Sequence, residues 1–271
     1  MSENNQDFQL DHHEELTRVV PQEVLKMPIL KRIINIFAAP GEVMENIKTY
    51  SEILAPYLIA IVIGLATIPI SMQVTDMSMQ EMSMISIERW GIDLFGGTAE
   101  TDFYGDDLMG NAMNAFAIVG IVVMVFLTPM IWGVIATLGL WILSKIFRGR
   151  ATFGQIFSMN MHVYIISALG MLVVSTLMVM TGRLLDMTTL AAVLMPNGRM
   201  DDVTFNTLTG IGIFPIWTSV VTFIGLKVIN EISVARAAII TVISFLIGLA
   251  VSVVMLMSSW WIMDMSMGMV F

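Results

Sequence analysis

Residues 112–150 read AMNAFAIVGIVVMVFLTPMIWGVIATLGLWILSKIFRGR, an apolar run that ends in three closely spaced cations. Between Ala112 and Ser144 there is no charged residue, which predicts a membrane-spanning helix rather than a helix of a soluble protein. At a rise of about 1.5 Å per residue the run extends roughly 50 Å, well beyond the roughly 30 Å of hydrocarbon in a bilayer. The helix is therefore expected to tilt, to kink at Pro129 or to project from the membrane.

Four further apolar segments accompany this run. The chain is 56% hydrophobic and only 13% charged, and the charges avoid long segments, as a polytopic membrane protein requires. The sequence thus predicts an all-α, polytopic membrane protein: a five-transmembrane-helix bundle within residues 51–271, preceded by an N-terminal cytoplasmic amphipathic helix. The spans are expected at about 53–72, 112–144, 156–180, 208–229 and 237–263.

Lysine and arginine set the predicted orientation. With five spans and the N-terminus inside, three cations fall in segments on the outer side of the membrane: Arg89, Arg183 and Arg199. The inside segments hold ten: Arg18, Lys26, Lys31, Arg32, Lys48, Lys145, Arg148, Arg150, Lys227 and Arg236. Cytoplasmic loops carry the excess of basic residues, so the N-terminus is predicted to be cytoplasmic and the C-terminus outside.

Two segments precede the first span. Residues 1–22 are polar and acidic with few bulky apolar groups, which predicts a disordered cytoplasmic tail. Residues 23–50 form a cytoplasmic interfacial helical segment, in which Leu30, Ile33, Ile34 and Phe37 share one helical face. Its expected lipid-facing cations are Lys26, Lys31 and Arg32. The alternative is a helix docked on the cytoplasmic face of the protein itself.

The spans lack the groups that chemistry at bilayer depth would need. Proton and ion pathways require ionisable residues inside the membrane, and none lies deep within a predicted span. His162 is expected to be a packing residue near the cytoplasmic surface, and Lys227 and Glu231, four residues apart, an interfacial pair. With no cysteine and no catalytic motif, we expect no enzymatic activity, and without a contiguous basic surface no nucleic-acid binding.

Small residues predict close helix contacts in two spans. Ala60 and Gly64 have small-xxx-small spacing in the first span, and Ser244, Gly248 and Ser252 have it in the last. Such spacing lets two helix backbones approach closely in lipid, where no hydrophobic force drives association. The pattern therefore predicts one helix–helix contact at each site, within the chain or in a homo-oligomer.

Methionine is unusually frequent, with 26 residues, and eight of them lie in two tracts on the predicted outer side. Alternation of methionine with small polar residues is unlike span packing, and several thioethers together suit Cu(I) or Ag(I). The competing explanation is that methionine serves as adaptable apolar filler or as an oxidant scavenger. The candidate metal ligands are Met77, Met79, Met82, Met84, Met263, Met265, Met267 and Met269. The first tract is expected in an acidic outer loop, residues 73–110.

Three stretches resemble the Yip family of Ypt/Rab-interacting membrane proteins in its bacterial form. They are Arg32-Ile33-Ile34 through Ala39-Pro40-Gly41-Glu42, the loop Phe147-Arg148-Gly149-Arg150-Ala151-Thr152-Phe153-Gly154, and residues 216–237. The resemblance implies five spans, a cytoplasmic N-terminus and a C-terminus across the membrane. Eukaryotic relatives are associated with Rab GTPases and vesicle traffic, which implies a role in membrane organisation.

These observations lead to two hypotheses. The first is a non-enzymatic protein of a bacterial inner membrane that acts by binding lipids or other membrane proteins, or as a homo-oligomer, without a cofactor. The alternative is binding or transport of Cu(I) or Ag(I) outside the cytoplasm through the methionine-rich segments.

Overall fold

A computed structural model describes residues 25–90, 108–184, 186–199 and 202–268. These residues form helices and connecting turns, with no strand among them. The helices are α1 (Ile29–Ala38), α2 (Pro40–Thr49), α3 (Leu54–Trp90), α4 (Leu108–Ile146), α5 (Phe153–Thr181), α6 (Leu190–Leu194), α7 (Val203–Thr209), α8 (Ile213–Asn230) and α9 (Val234–Gly268).

Five of these helices, α3, α4, α5, α8 and α9, are long and apolar enough to cross a membrane. The predicted five-span, all-helical architecture is therefore confirmed. The spans differ in burial, because α5 packs against α3, α4 and α8, whereas α4 and α9 expose most of their apolar side chains. A helix that is apolar all round can face lipid on one side and protein on the other, and α4 and α9 do so.

Two span boundaries differ clearly from those expected. Helix α3 continues through Trp90, so the predicted outer loop, residues 73–110, begins as helix. The fourth span, expected at residues 208–229, begins only at Ile213, after a break at residues 210–212 that separates α8 from α7. Helix α4 stays continuous through Pro129 for 39 residues, so at about 1.5 Å per residue it projects well beyond the hydrocarbon. Loss of apolarity does not end a helix, because polar residues also propagate one outside lipid.

The N-terminal helices are part of the main core. Ile36 of α1 and Val43, Met44 and Ile47 of α2 are almost fully buried. They join one cluster with residues of α5 and α8, among them Ile156, Met159, Val163, Val221, Leu226 and Ile229. One face of each N-terminal helix is therefore packed against the bundle. The predicted tail, residues 1–22, lies outside the described residues.

The two predicted small-residue contacts have different outcomes. A Cβ atom on Gly64 would lie 2.9 Å from Cγ1 of Val125, so α3 and α4 approach closely at that point, as predicted. A Cβ on Gly248 would meet nothing within 4 Å, so the predicted contact in the last span is not made within the described chain. The glycine in α3 therefore sets the separation of α3 from α4.

Candidate functional site at the basic end of the bundle

One end of the bundle carries the N-terminal helices together with the basic α4–α5 loop, residues 147–152, and we call it the basic end. At this end Glu52, in the link between α2 and α3, binds two cations. Nη1 of Arg32 donates to Oε2 of Glu52 at 3.0 Å, and Lys26 pairs with the other carboxylate oxygen. The hydrogen bond from Lys26, with the nearby charge of Arg32, lowers the pKa of Glu52 below its usual 4.5. Glu52 thereby ties the start of the chain to the first span.

Arg32 does not face lipid, which corrects the expectation from the sequence. Its side chain has 0% exposure, on the face of α1 that also buries Ile36. Lys26 is likewise engaged with Glu52. Arg32 holds the N-terminal segment in place, because a buried guanidinium requires a counter-charge. The side chain of Lys26 is 56% exposed, so solvent screens its pairing with Glu52. Of the three predicted lipid-facing cations, Lys31 is exposed on α1 and has no ion pair among the described residues.

Helix α5 fixes the backbone at Glu52 through a side-chain hydrogen bond. Oγ of Ser158 donates to the backbone carbonyl of Glu52 at 2.6 Å, which fixes the point where the chain enters α3. Nδ1 of His162 lies 2.7 Å from the carbonyl oxygen of Ser158, and because a carbonyl only accepts, Nδ1 is the donor. His162 is 1% exposed and packs as expected, within its own helix.

Asn46 of α2 secures the segment that precedes α1. It is 3% exposed, and its Oδ1 accepts from the backbone N–H of Met27 at 3.2 Å while Nδ2 donates to the carbonyl of Leu25 at 2.9 Å. One amide side chain thus satisfies both a donor and an acceptor of an otherwise irregular segment. Residues 25–28 are held against the bundle rather than left to extend away from it.

The opposite face of α1 is apolar and exposed. Leu30, Ile34 and Phe37 lie one turn apart, with exposures of 67%, 58% and 37%, and we call them the apolar stripe. Lys31 is exposed next to the stripe. An amphipathic helix on a soluble protein buries its apolar face, whereas α1 has apolar groups both against the protein and away from it. The apolar stripe is therefore available to lipid or to another protein.

A second ion-pair group joins three separate parts of the basic end. The carboxylate of Glu231 contacts Nζ of Lys48 at 2.6 Å and Nη1 of Arg150 at 3.1 Å. The hydrogen bond with Lys48 lowers the pKa of Glu231 and raises that of Lys48. The predicted pairing of Glu231 with Lys227 is wrong, because the chain turns at Glu231 with φ of 54° and directs its side chain toward α2.

The basic loop is held by polar contacts to α8. Oδ1 of Asn230 accepts from the N–H of Ala151 at 3.3 Å, and its Nδ2 donates to Oγ of Ser144 at 3.3 Å. A Cβ on Gly149 would fall 2.4 Å from Oδ1 of Asn230, so this close packing needs glycine. Lys145 donates to the carbonyls of Gly149 and Ala151 and so closes the loop.

The methionine tracts lie at the opposite end of the bundle. Met77 and Met84, two turns apart on α3, line one cavity of about 360 Å³ together with Glu81. Met79 does not line it, and Met82 packs near Ile85 and Met257 of α9. Met265 is exposed on α9, while the side chains of Met263 and Met267, and all of Met269, lie outside the described residues.

Acidic side chains form no metal centre among the described residues, since no group of three or more His, Cys, Asp or Glu side chains is placed to hold an ion there. Glu100, Asp102, Asp106, Asp107 and Asp201 of the predicted acidic loops lie outside those residues. Asp202 instead caps α7 by accepting from the N–H groups of Thr204 and Phe205. A soft-metal site would therefore rest on thioethers.

Sequence reasoning missed the roles of Glu52 and Asn46. Both residues are polar and lie just before the first span, where a polar residue is usually solvated. The available signal was the position of one carboxylate within the most basic part of the chain, which predicts a pairing but not its partner. Partner choice depends on how α1 folds back over α5, a contact between residues far apart in sequence.

Comparison with known proteins adds the family. The family model of the Yip1 domain matches residues 34–256, which include the second half of α1, all of α2, four of the five spans and most of the last span. No curated protein and no solved structure matches the chain. The match covers more than half of the chain and agrees with the five-span fold and with the resemblance in the entry segment, the basic loop and the fourth span. The chain therefore belongs to the Yip family of multi-pass membrane proteins.

Proposed function

We propose that the protein is a non-enzymatic protein of a bacterial inner membrane that organises or recognises membrane through lipid contact at its basic end. The observation that carries this proposal is the apolar stripe of α1, exposed beside Lys31 while the other face of the helix is fixed to the bundle. A helix with this division of side chains rests at the interface, with its apolar groups in the acyl region and its cations near anionic headgroups.

The charge distribution supports an orientation with the basic end in the cytoplasm. Ten of the thirteen lysines and arginines fall in segments on that side of a five-span topology. Anionic lipids give the cytoplasmic leaflet a negative surface potential, which attracts basic residues near the surface. Lys31 and the apolar stripe would then meet the leaflet to which they are suited.

Site-directed fluorescence in vesicles tests the proposal. The chain has no cysteine, so Ile34→Cys in the apolar stripe introduces a single thiol that can be labelled with an environment-sensitive dye. No other cysteine has to be removed first. Glu45→Cys, an exposed position on the neighbouring α2, is the matched control. In vesicles containing anionic lipid brominated in its acyl chains, we expect strong quenching of the dye at position 34 and little at position 45.

Lys31→Glu should reduce this quenching at position 34 in anionic but not in neutral vesicles, because it reverses the exposed charge beside the stripe. Equal quenching at positions 34 and 45 would contradict lipid contact by α1. Protection of position 34 only when a second protein is added would instead favour the partner-binding form of the hypothesis.

Soft-metal binding is the second candidate, and one observation favours it: Met77 and Met84 line the same cavity at the end opposite α1. Two thioethers on one helix face form part of a coordination set for Cu(I). Titration of the purified protein with Cu(I) against a competing chelator tests it. Met77→Leu with Met84→Leu should abolish binding, whereas Met79→Leu in the same tract should leave it unchanged. Absence of binding, or equal loss in both variants, would end this candidate.

A further inference from the structure

A second cavity lies at bilayer depth, between α3, α4 and α5, with a volume of about 590 Å³. Small residues on all three helices make room for it: Ala60 and Gly64 on α3, Gly120 on α4 and Ala168 on α5. The close approach of Gly64 to Val125 sets the separation of α3 from α4 at one end of this space. The volume falls within the roughly 300–1,000 Å³ of typical small-molecule sites.

The walls combine an apolar lining with hydroxyl groups and carry no charge. Five hydroxyls line the cavity: Thr67, Ser71, Thr75, Thr128 and Tyr164. Those of Thr67 and Thr75 donate to carbonyls of their own helix at 2.8 and 2.9 Å. The other three make no hydrogen bond to any part of the chain that the structure describes. Hydroxyls that face an apolar space in lipid without a partner are costly, which favours a ligand that accepts from them.

The backbone of α4 changes the polarity of the wall further. Pro129 lines the cavity and has no N–H to donate to the carbonyl of Val125, one turn earlier on the same wall. Transmembrane helices tolerate proline where neighbouring groups compensate the lost hydrogen bond. The cavity wall therefore contains three hydroxyl donors and, beside them, a turn of α4 that lacks one backbone hydrogen bond. None of the residues that line the cavity is charged.

The cavity is reached from the membrane. Met72, Ile121 and Met171 line it, one from each helix, and each is at least 39% exposed on a span. A molecule dissolved in the bilayer could enter between them without crossing a headgroup layer. A charged headgroup would find no counter-charge in this lining, and its transfer into such surroundings would be costly.

We infer that the cavity between α3, α4 and α5 is a binding site for a neutral lipid whose polar end accepts hydrogen bonds through a carbonyl group. The carbonyl would accept from Tyr164, Thr128 or Ser71, and the apolar part would lie along Met72, Ile121 and Met171. Two sources share this chemistry, long-chain quinones and acylglycerols. The inference is independent of the proposed role of α1, because the two sites share no residue.

Photolabelling of the full-length protein in nanodiscs tests the inference. The probe is a monoacylglycerol with a diazirine in its acyl chain, and labelled peptides are mapped by mass spectrometry. We expect labelling to concentrate on residues 60–75, 120–129 and 164–171. Excess unlabelled decylubiquinone or monoolein should compete, and whichever competes at lower concentration identifies the source. Oleate at the same concentration, which carries a charged carboxylate at high pH, should compete poorly.

Variants separate the cavity from the general lipid-facing surface. Ala168→Phe fills the cavity and should abolish the mapped labelling, whereas Ala136→Phe, on an exposed face of α4 outside the cavity, should not. Tyr164→Phe removes one donor and should weaken competition about fivefold. Labelling that is unchanged by Ala168→Phe, or spread evenly over the exposed faces of α4 and α9, would overturn the inference. In Tyr164→Phe we expect the labelled peptides to be the same as in the unchanged protein, which would show that the cavity remains when only the hydroxyl is lost.

Discussion

Substitution of Glu52 by glutamine should release the N-terminal helices. Arg32 is fully buried and its Nη1 lies 3.0 Å from Oε2 of Glu52, so Glu52→Gln leaves a buried guanidinium without its counter-charge. Breaking a buried ion pair in this way costs about 3–5 kcal/mol. Since the Glu52 side chain is 30% exposed, we expect the lower end, about 3 kcal/mol, which corresponds to about a hundredfold change in the opening equilibrium.

Hydrogen–deuterium exchange of residues 29–38 in detergent or nanodiscs measures this release. Local opening of α1 exposes its amides without unfolding the spans, so their exchange should accelerate about a hundredfold while α5 is little affected. Glu231→Gln is the matched control, because it also removes a carboxylate with two basic partners at the basic end, but an exposed one. Solvent screens that pair, and exchange in α1 should change little.

A double substitution sharpens the test. Arg32→Met together with Glu52→Gln removes both charges and replaces the guanidinium by an apolar side chain of similar length. Because the desolvation cost of the charge disappears with its partner, slow exchange should be largely restored. If Glu52→Gln accelerates exchange in α1 no more than Glu231→Gln does, or if the double variant is as labile as Glu52→Gln, the ion pair does not hold α1 in place.

Three further predictions concern the same end of the protein. The pKa of Glu52 is lowered on folding, so the stability that its carboxylate contributes is complete above its unfolded pKa near 4.5 and is lost as pH falls through the lower folded value. The protection factors of the α1 amides, which correct for the intrinsic pH dependence of exchange, should therefore be constant from pH 8 to 5 and decrease only below about 4.5. Gly149→Ala places a Cβ 2.4 Å from Oδ1 of Asn230 and should lower the midpoint of thermal unfolding, with a cost of about 1–3 kcal/mol; Gly154→Ala, with nothing within 4 Å, should not. Thr152→Ala removes the capping box with Gln155 and should cost about 1 kcal/mol in the same assay.

Local features of the chain were the ones that could be predicted. The run from Ala112 to Ser144 and its four counterparts specified five spans, because the length and apolarity of a spanning helix are set by the bilayer and need no knowledge of neighbours. Helical spacing also placed Leu30, Ile33, Ile34 and Phe37 on one face of α1; Leu30, Ile34 and Phe37 are exposed there, and Ile33 is half-buried. The end of α3 was misplaced, since a helix can continue after its sequence becomes polar.

Pairings between distant residues could not be predicted. Arg32 and Glu52 are 20 residues apart, and Glu231 meets Arg150 across 81 residues. Local spacing instead suggested Lys227 as the partner of Glu231 and lipid as the environment of Arg32. The turn at Glu231 and the packing of α1 onto α5 give both residues other partners. Each charged side chain at the basic end could reach several opposite charges, and only the relative positions of the helices select one.

The sequence by itself determined that this is a five-span helical membrane protein with its cations gathered at one end. Those properties follow from the cost of placing polar and charged groups in hydrocarbon, which acts on each segment independently. Only the tertiary structure decided which cation is buried, which two methionines of the first tract line one cavity, and which hydroxyls line the cavity between α3, α4 and α5 without a hydrogen-bond partner among the described residues. Such contacts depend on the rotation and separation of helices, which many side chains set together.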